Sequence, residues 1–295
     1  FIVMHNLAFS NGFKDVRSVI RNNASTVWLS FYARIPAGLF SGDVRVRNSI
    51  YLIDRDKKEK GLSFTTRIHR WFSESRPYLI EKIKYIKFEI IDEFPMFNDE
   101  KLASFFSNVS GIVLKNLSTR SASKTLYYKQ SAYNWISVSL KPAPCFDGNN
   151  KQIPQSQVKP LTVIDKDVHR FLLLLFNGKL SFCHWLTFGD EFHITKDDLL
   201  SMRLPVDKFS DKDRVSLLTL AKEFEDKLEE TVQFKLNAGK RVGTYNTSKL
   251  WDITDKSDSI FLKYMCDNPK EVKEAIENHV YSTVLSQDDQ VDDEE

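Results

Sequence analysis

Two apolar segments flank a charged run early in the chain: LFSGDVRVRNSIYLI at residues 39–53 and GLSFTTRIHRW at residues 61–71. In both segments polar and apolar residues alternate, and this period of two predicts half-buried strands. In the first, residues 44, 46, 50 and 52 are apolar, so we expect that side to be buried. Because residues 54–60 are charged and are followed by glycine, the simplest arrangement is a hairpin. Its open face would present Arg45, Arg47, Arg67 and His69.

Such a cationic sheet face favours a polyanion as partner, although a merely solvated face is equally compatible with the pattern. The charge distribution adds to this. Residues 1–90 carry 16 Lys and Arg against 8 Asp and Glu, a net charge of +8, whereas residues 206–295 carry 13 against 21, a net charge of −8. The front of the chain is therefore the part expected to meet a polyanion.

The composition is that of a folded protein. The chain has 295 residues, of which 42% are hydrophobic and 13% aromatic, so we expect a real core and about two domains. No apolar run approaches the roughly 20 residues that span a bilayer, and the first residues do not resemble a signal peptide. Cys145, Cys183 and Cys266 form neither a disulfide framework nor a zinc motif. A reducing, cytoplasmic location and no membrane partner are expected.

Local patterns predict the remaining elements. Residues 1–4 and 27–32 are strand-like, and residues 11–22 predict a helix that buries Phe13, Val16, Val19 and Ile20. Strand, helix and strand followed by a hairpin indicate the end of an α/β sheet. Further helices are expected from residue 98, over residues 165–185 and 250–264, and over residues 268–284 with Pro269 at the first position. A helix about 40 Å long is expected to start at a Ser210 cap and to run to residue 237.

The first seventy residues resemble part of a known family, the adenine-specific DNA methyltransferases of restriction–modification systems, especially large Type II and IIG enzymes. The resemblance is to the last third of the methyltransferase domain, and Met4 stands where the family usually has proline. The matching residues are Val16-Arg17, Leu39-Phe40, Gly42, Arg47, Ser49-Ile50, Phe64-Thr65-Thr66-Arg67 and His69-Arg70-Trp71.

A second, more specific block resembles the end of the target recognition domain in the same family. It covers residues 175–185, 189–199 and 204–205, in the family's order and spacing. Gly178 replaces the usual serine and Glu191 replaces a glycine. Together the two blocks extend the resemblance over about two thirds of the chain.

The resemblance implies an α/β fold, α+β overall, that starts with the remnant of a Rossmann-like methyltransferase sheet. Residues 1–88 would close the catalytic domain, and residues 89–205 would form a mixed α/β target recognition domain. Residues 206–287 would be a helical spacer, and residues 288–295 a disordered acidic tail. Double-stranded DNA is the implied partner, together with a restriction endonuclease or other subunits of the system.

The chemistry of adenine methylation requires parts that this sequence lacks. Its ten glycines include no Gly-x-Gly pair that could cradle S-adenosylmethionine, and none of its nine prolines are adjacent, as an Asn-Pro-Pro-aromatic motif requires. We therefore expect both sites to lie upstream of Phe1, so that S-adenosylmethionine serves the full-length enzyme and this chain alone binds no cofactor or metal and is inactive. The one active-site role left is Phe64, which could stack on a flipped base or simply pack in the sheet.

A second cationic stretch lies in the expected recognition domain. Residues 115–129 carry four cations, no acid and two adjacent tyrosines, which are residue types that contact phosphates and base edges. A solvated loop is the open alternative. Residues 142–160 predict a long loop whose Asn149, Asn150, Gln152, Gln155 and Gln157 could read adenine. The full set of expected DNA contacts is Arg45, Arg47, Arg67, His69, Arg70, Lys115, Arg120, Lys124, Tyr127, Tyr128 and Lys129.

Three classes of function remain open. The favoured one is the recognition portion of an adenine methyltransferase, which would act on a flipped adenine when joined to its S-adenosylmethionine-binding half. A non-catalytic DNA-specificity subunit is the alternative, although the α/β remnant argues for the first. A protein-interaction domain without nucleic acid is opposed by the basic front half.

Overall fold

The computed structural model of the chain describes residues 1–40, 46–55, 62–88, 93–117, 124–163 and 166–283. The strands are β1 (Ile2–Met4), β2 (Thr26–Tyr32), β3 (Asn48–Asp54), β4 (Leu62–Thr65), β5 (Ile68–His69), β6 (Ile86–Phe88), β7 (Ile112–Val113), β8 (Lys124–Lys129), β9 (Val138–Ser139), β10 (Cys145–Phe146), β11 (Val158–Val163), β12 (Arg203–Leu204), β13 (Val232–Asn237) and β14 (Lys240–Tyr245). The α-helices are α1 (Lys14–Asn23), α2 (Glu100–Asn108), α3 (Lys166–Asn177), α4 (Lys179–Phe188), α5 (Lys196–Leu200), α6 (Asp211–Leu228), α7 (Trp251–Met265) and α8 (Pro269–Tyr281). The expected mixed α/β class, α+β overall, is confirmed at this level.

Two compact units divide the chain. The first comprises the described residues of Phe1–Ser107, Leu186–Glu191 and Glu277–Glu295, and the second those of Asn108–Trp185 and Phe192–Ile276. The functional domains expected from the sequence stay a prediction, because compactness does not say what a segment does. The expected acidic tail lies outside the described residues.

The first unit is built on a mixed sheet with the strand order β1-β3-β2-β4-β6, and β5 also pairs with β2. Both β1 and β2 are antiparallel to β3, so they run in the same direction, and α1 lies between them in the chain. β2 is parallel to β4 and is buried along almost its whole length. Two parallel strands connected through a helix form the βαβ unit of α/β sheets. The strands and the helix expected in the first 32 residues are thereby confirmed.

The expected hairpin is wrong, because β3 and β4 do not pair with each other. β2 lies between them, antiparallel to β3 and parallel to β4. The physical reason is burial: β2 is apolar on both faces and takes the central position, where neighbours on either side cover it. The two segments that flank the charged run therefore border the same strand instead of each other.

The buried side of these strands is also the opposite of the expected one. Ser49 and Tyr51 are 0% and 1% exposed, whereas Leu52 is 63% exposed. The Tyr51 ring packs edge-on against Phe94, with 5.8 Å between ring centroids. A period of two separates the faces of a strand but does not say which face meets the core. Here the Phe94 ring, from a later segment of the chain, covers the Tyr51 side of β3, so that side is buried.

The helix α1 is in the expected place but buries a different face. Val16 and Val19 are 42% and 60% exposed, whereas Arg17 is 1% exposed. The Arg17 guanidinium donates to the carbonyl oxygens of Leu7 at 3.0 Å and Ser10 at 2.7 Å. A buried arginine that satisfies two carbonyls closes the loop before the helix, so the helix faces inward on its arginine side.

The second unit contains three small sheets, with the strand orders β11-β8-β9, β10-β14-β13 and β12-β7. Its helix α3 packs against α6 and α7, and α7 and α8 confirm the helices expected at residues 250–264 and 268–284. The apolar run from Phe171 to Phe176 in α3 is completely buried, as expected.

The single helix expected over residues 165–185 is broken into α3 and α4 at Gly178. A Cβ at Gly178 would stand 2.5 Å from Asp258 Oδ1, so only glycine lets the carboxylate approach. Asp258 Oδ2 accepts a hydrogen bond from the Leu180 amide at the start of α4, which satisfies one of the unpaired donors of a helix start.

Among the described residues no single helix is long and apolar enough to cross a membrane. Only α3 and α4 together have the length and composition of a span, and they are bent by 65° relative to each other.

The long helix expected from Ser210 to residue 237 ends early. The Ser210 hydroxyl accepts from the Asp213 amide at 3.2 Å and confirms the cap, and the stripe of Leu217, Ala221, Phe224 and Leu228 is buried as expected. The helix nevertheless ends at Leu228, and residues 232–245 form the β13–β14 hairpin. The prediction failed because the apolar spacing at Val232 also fits the start of a strand.

Candidate nucleic-acid interface

The cationic residues expected on the first unit are largely engaged by their own chain. The Arg70 guanidinium donates from Nε to Glu191 Oε1 at 2.7 Å, and the two side chains are only 2% and 3% exposed. Arg70 also donates to the Thr283 carbonyl oxygen at 3.1 Å. Arg47 donates to the Asp190 carbonyl oxygen and lies 3.4 Å from Asp190 Oδ2. These contacts tie the strand region near residues 47–70 to the short segment Leu186–Glu191 of the same unit.

Glu191 has a backbone φ of +65°. This left-handed conformation costs a residue with a side chain about 1–2 kcal/mol. It is also the position where the sequence resemblance places glycine, the residue that adopts this conformation without that cost. Burial raises the pKa of the Glu191 carboxyl, and the adjacent Arg70 charge opposes the shift. The pair with Arg70 accounts for a carboxylate being held at such a position.

Arg67 is likewise engaged by its own chain, and His69 is largely buried. Arg67 donates to the Ser282 carbonyl oxygen, and burial lowers the pKa of its guanidinium. Burial first, and the Arg67 charge second, lower the pKa of His69 to about 4, so the ring is neutral at pH 7. His69 would therefore bring no charge to a phosphate, and its contact with DNA stays a prediction. Arg45 lies outside the described residues.

Phe64 lies on the less covered face of the sheet. Its ring stacks on Trp28, with 5.8 Å between centroids and 9° between planes. Trp28 is register partner to both Leu52 and Phe64, so the three form one row across neighbouring strands. Phe64 and Trp28 are half-buried and Leu52 is exposed. The row offers an aromatic surface beside the βαβ unit.

The DNA contacts expected on the second unit do not share one face of β8. Lys115 and Lys124 are exposed, Tyr127 is half-buried and Tyr128 is buried. Burial raises the pKa of the Tyr128 hydroxyl. Successive residues of β8 point to opposite faces, so Tyr127 lies on the side opposite to its two neighbours. Arg120 lies outside the described residues.

Lys129 leads to a surface that the sequence reasoning missed. Its Nζ donates to Thr244 Oγ1 on β14 at 2.7 Å. β14 pairs with β13 on one side and with β10 on the other. We call β13, β14 and the two residues that join them the ribbon. That joint consists of Ala238 and Gly239, with φ of +46° and +75°, as a tight two-residue hairpin turn requires.

The expected long loop at residues 142–160 folds onto the base of the ribbon. Within it, β10 pairs with β14 through Cys145 and Phe146. The Gln155 side-chain amide donates to the carbonyl oxygens of Ala143, Pro144 and Gly243 at 2.8–3.2 Å. The expectation that Gln155 reads a base is therefore wrong, because its donor group is used within the fold. Asn149 and Asn150 remain exposed.

The ribbon has two chemically different faces. On one, the Arg241 guanidinium lies 4.7 Å from the Phe146 ring centroid and 4.9 Å from that of Phe234, which are cation–π distances. The opposite face is mostly polar and carries two cations. By the alternation of the strands it carries Gln233, Lys235, Asn237, Lys240 and Thr244, together with the half-buried Val242 opposite Lys235.

A signal for the ribbon was present in the sequence. Residues 232–237 alternate between apolar and polar residues and are followed by a two-residue Ala-Gly turn, which is the first half of a hairpin pattern. We missed the hairpin because the helical spacing of apolar residues extends to residue 232.

The chain matches no model of a protein family, and a comparison with curated proteins also finds no match.

Proposed function

We propose that this chain is the DNA-recognition portion of a site-specific DNA adenine methyltransferase of a restriction–modification system. It would act on the amino group of a flipped adenine when joined to a separate half that binds S-adenosylmethionine. One observation carries the proposal. The two sequence blocks that resemble this family lie more than a hundred residues apart, yet they meet through Arg47 with Asp190 and Arg70 with Glu191.

The backbone at Glu191 supports the same conclusion. A position where the family has glycine takes up a φ of +65° in this chain, although its residue is glutamate. Only a few per cent of residues with a side chain adopt such a φ, and glycine adopts it without strain. The motif match and the local geometry therefore agree.

The sheet of the first unit supports a Rossmann-like origin. β1 and β2 run in the same direction, α1 lies between them, and the antiparallel β3 is inserted between the two strands. Such an arrangement fits the closing part of an α/β sheet. The half-exposed row of Leu52, Trp28 and Phe64 fits a sheet face that a further segment or a flipped base could cover.

The residues of this chain do not fit S-adenosylmethionine. Open α/β sheets bind such ligands beyond the carboxyl ends of their parallel strands, over glycine-rich loops. After β1 the chain turns instead into a 3-10 helix, His5–Ala8, whose His5 and Ala8 are 2% and 0% exposed and fill that end. Methyl transfer therefore needs the other half of the enzyme, and no catalytic step is assigned to this chain.

A non-catalytic DNA-specificity subunit is the second candidate, and the lack of fit to S-adenosylmethionine favours it equally. The two differ at Phe64, since only a methyltransferase needs a ring beside its flipped base. In both cases double-stranded DNA is the partner, with a restriction endonuclease or another subunit of the system beside it, in the cytoplasm.

The test is a titration of duplex DNA of random sequence at several salt concentrations. If the chain neutralises several phosphates, the logarithm of the binding constant should fall with the logarithm of salt, with a slope of about −0.9 per phosphate. A flat or absent response would contradict DNA binding. In parallel, photo-crosslinking with labelled S-adenosylmethionine should label the assembled enzyme but not this chain, and labelling of this chain alone would refute the division of labour.

A further inference from the structure

The ribbon is exposed over most of its length. Every residue from Gln233 to Arg241 is exposed, and Leu236 reaches 74%. The segment from residue 232 to residue 245 carries three cations and no acidic residue, although the last ninety residues as a whole are strongly acidic. A cationic element in an acidic region indicates a local requirement for positive charge.

The base of the ribbon is held firmly. Lys129 Nζ donates to Thr244 Oγ1 at 2.7 Å, and Trp135 Nε1 donates to the Tyr245 carbonyl oxygen at 3.2 Å. The amide of Gly243 donates to the Pro144 carbonyl oxygen at 2.8 Å. These contacts come from three separate segments, so the base is rigid while the strands project from it. Rigid support reduces the conformational entropy that a binding element loses when it meets its ligand.

The aromatic face keeps the ribbon stiff further along its length. Arg241 lies over both Phe146 and Phe234, whose ring centroids are 6.1 Å apart. This contact joins all three strands of the sheet on one side. The opposite face of the ribbon has no such ring contact. Near the turn it carries Lys235, Asn237 and Lys240, which can form hydrogen bonds and contact negative charge.

The dimensions suit one particular ligand. Strands of six residues extend about 20 Å, and the major groove of B-form DNA, about 12 Å wide and 8.5 Å deep, admits a two-stranded ribbon. Amide side chains such as that of Asn237 can bond bidentately to adenine, and lysines can reach guanine or the phosphates on either side.

Resting on the proposed function, we propose that the ribbon enters the major groove of duplex DNA, with the face of Lys235, Asn237 and Lys240 toward the base edges. A protein partner is the competing occupant, since Phe234 and Leu236 are apolar and exposed. Charge favours DNA: the ribbon carries three cations and no acid, and two of the three, Lys235 and Lys240, lie on the face proposed to meet the bases.

The experiment compares the full 295-residue chain with two double variants. The first, Lys235→Gln with Lys240→Gln, removes charge from the polar face. The matched control, Lys208→Gln with Lys212→Gln, removes two exposed lysines of the same unit away from the ribbon. Each protein binds a random-sequence duplex over a range of salt. Dimethyl sulfate then probes guanine N7 in the major groove and adenine N3 in the minor groove.

We expect the ribbon variant to lower the salt slope by about two units, one per lost lysine contact. It should also lose protection of guanine N7 and keep that of adenine N3, whereas the control should match the wild type. A second variant, Asn237→Ala, tests base recognition on a duplex that the wild type selects from a random-sequence pool. It should keep the salt slope but lower the preference for the favoured base at one base pair by about tenfold.

The outcomes separate the two proposals. If the wild type does not bind DNA, the proposed function fails. If it binds but the ribbon variants keep its slope, N7 protection and base preference, the inference alone is overturned, and the apolar face of the ribbon becomes a protein-binding surface. Since the substituted side chains are exposed, thermal unfolding of all variants should match the wild type and exclude a folding defect.

Discussion

The buried pair of Arg70 and Glu191 should make the effect of one glycine substitution depend on its background. Glu191→Gly restores the residue that suits a φ of +65° and at the same time removes the carboxylate from Arg70. The first change stabilises the folded state and the second destabilises it. Which one dominates can be worked out from burial, because both side chains are at most 3% exposed.

Removing one partner of a buried ion pair costs about 3–5 kcal/mol, since it leaves the other charge buried. The left-handed strain recovered is about 1–2 kcal/mol, and Arg70 keeps its bond to the Thr283 carbonyl oxygen. Glu191→Gly should therefore lower the free energy of unfolding by about 1–4 kcal/mol. In an Arg70→Met background no guanidinium is left behind, and the buried Glu191 carboxylate has itself lost that partner. The same substitution then relieves both the strain and the unpaired carboxylate, so it should raise the free energy of unfolding by at least about 1 kcal/mol.

Equilibrium unfolding in urea measures this cycle, with tryptophan fluorescence as the signal, because Trp28 and Trp71 both lie in the first unit. A matched control is Ala238→Gly on the exposed ribbon turn, where φ is +46° and no buried pair is lost. It should be neutral or stabilising by up to about 1 kcal/mol. If Glu191→Gly has the same effect in both backgrounds, the pair with Arg70 does not hold the glutamate in place.

Three further predictions address pH, catalysis and binding. Burial raises the pKa of Asp258 to about 7 from 3.8, so the folded state holds the proton more tightly than the unfolded state. Stability should fall by up to about 4 kcal/mol as the pH rises from about 4 to about 7, and Asp258→Asn should abolish that fall in urea unfolding across this range. If the proposed function holds, Phe64→Ala in the assembled methyltransferase should lower methylation of a paired adenine more than that of a mismatched one, and an equal loss would contradict stacking. Lys124→Ala should lower the salt slope of DNA binding by about one unit, and an unchanged slope would place the phosphate contacts elsewhere.

Short-range patterns predicted the elements well where one period dominated. The Ser210 cap, the buried stripe of α6 and the start of α8 at Pro269 follow from contacts within one or two helical turns. Strand β2 was equally clear, because its apolar residues are continuous. At positions such as Val232 and Gly178 two interpretations fitted locally, and residues far along the chain decided between them.

The candidate site was predictable in its residue types but less so in its arrangement. The cationic character near residues 47–70 was visible, yet the sequence could not show that Glu191 and Asp190 would occupy two of its arginines. Similarly, the alternation of β13 is visible in the sequence, but its role as part of an exposed element depends on β10 and Lys129 supporting the base of the ribbon. Hydrogen bonds to three carbonyl oxygens make Gln155 a structural donor and not the expected base reader.

The sequence by itself determined the mixed α/β class, most helices, the strands of the first seventy residues and the charge asymmetry, because propensity, capping and alternation act between near neighbours. Only the tertiary structure decided the strand order, with β2 between β3 and β4, and which side of β3 is buried. Those choices rest on free energies of burial and pairing between residues far apart in the chain, such as Tyr51 with Phe94 and Arg70 with Glu191. No local pattern encodes such distant partners.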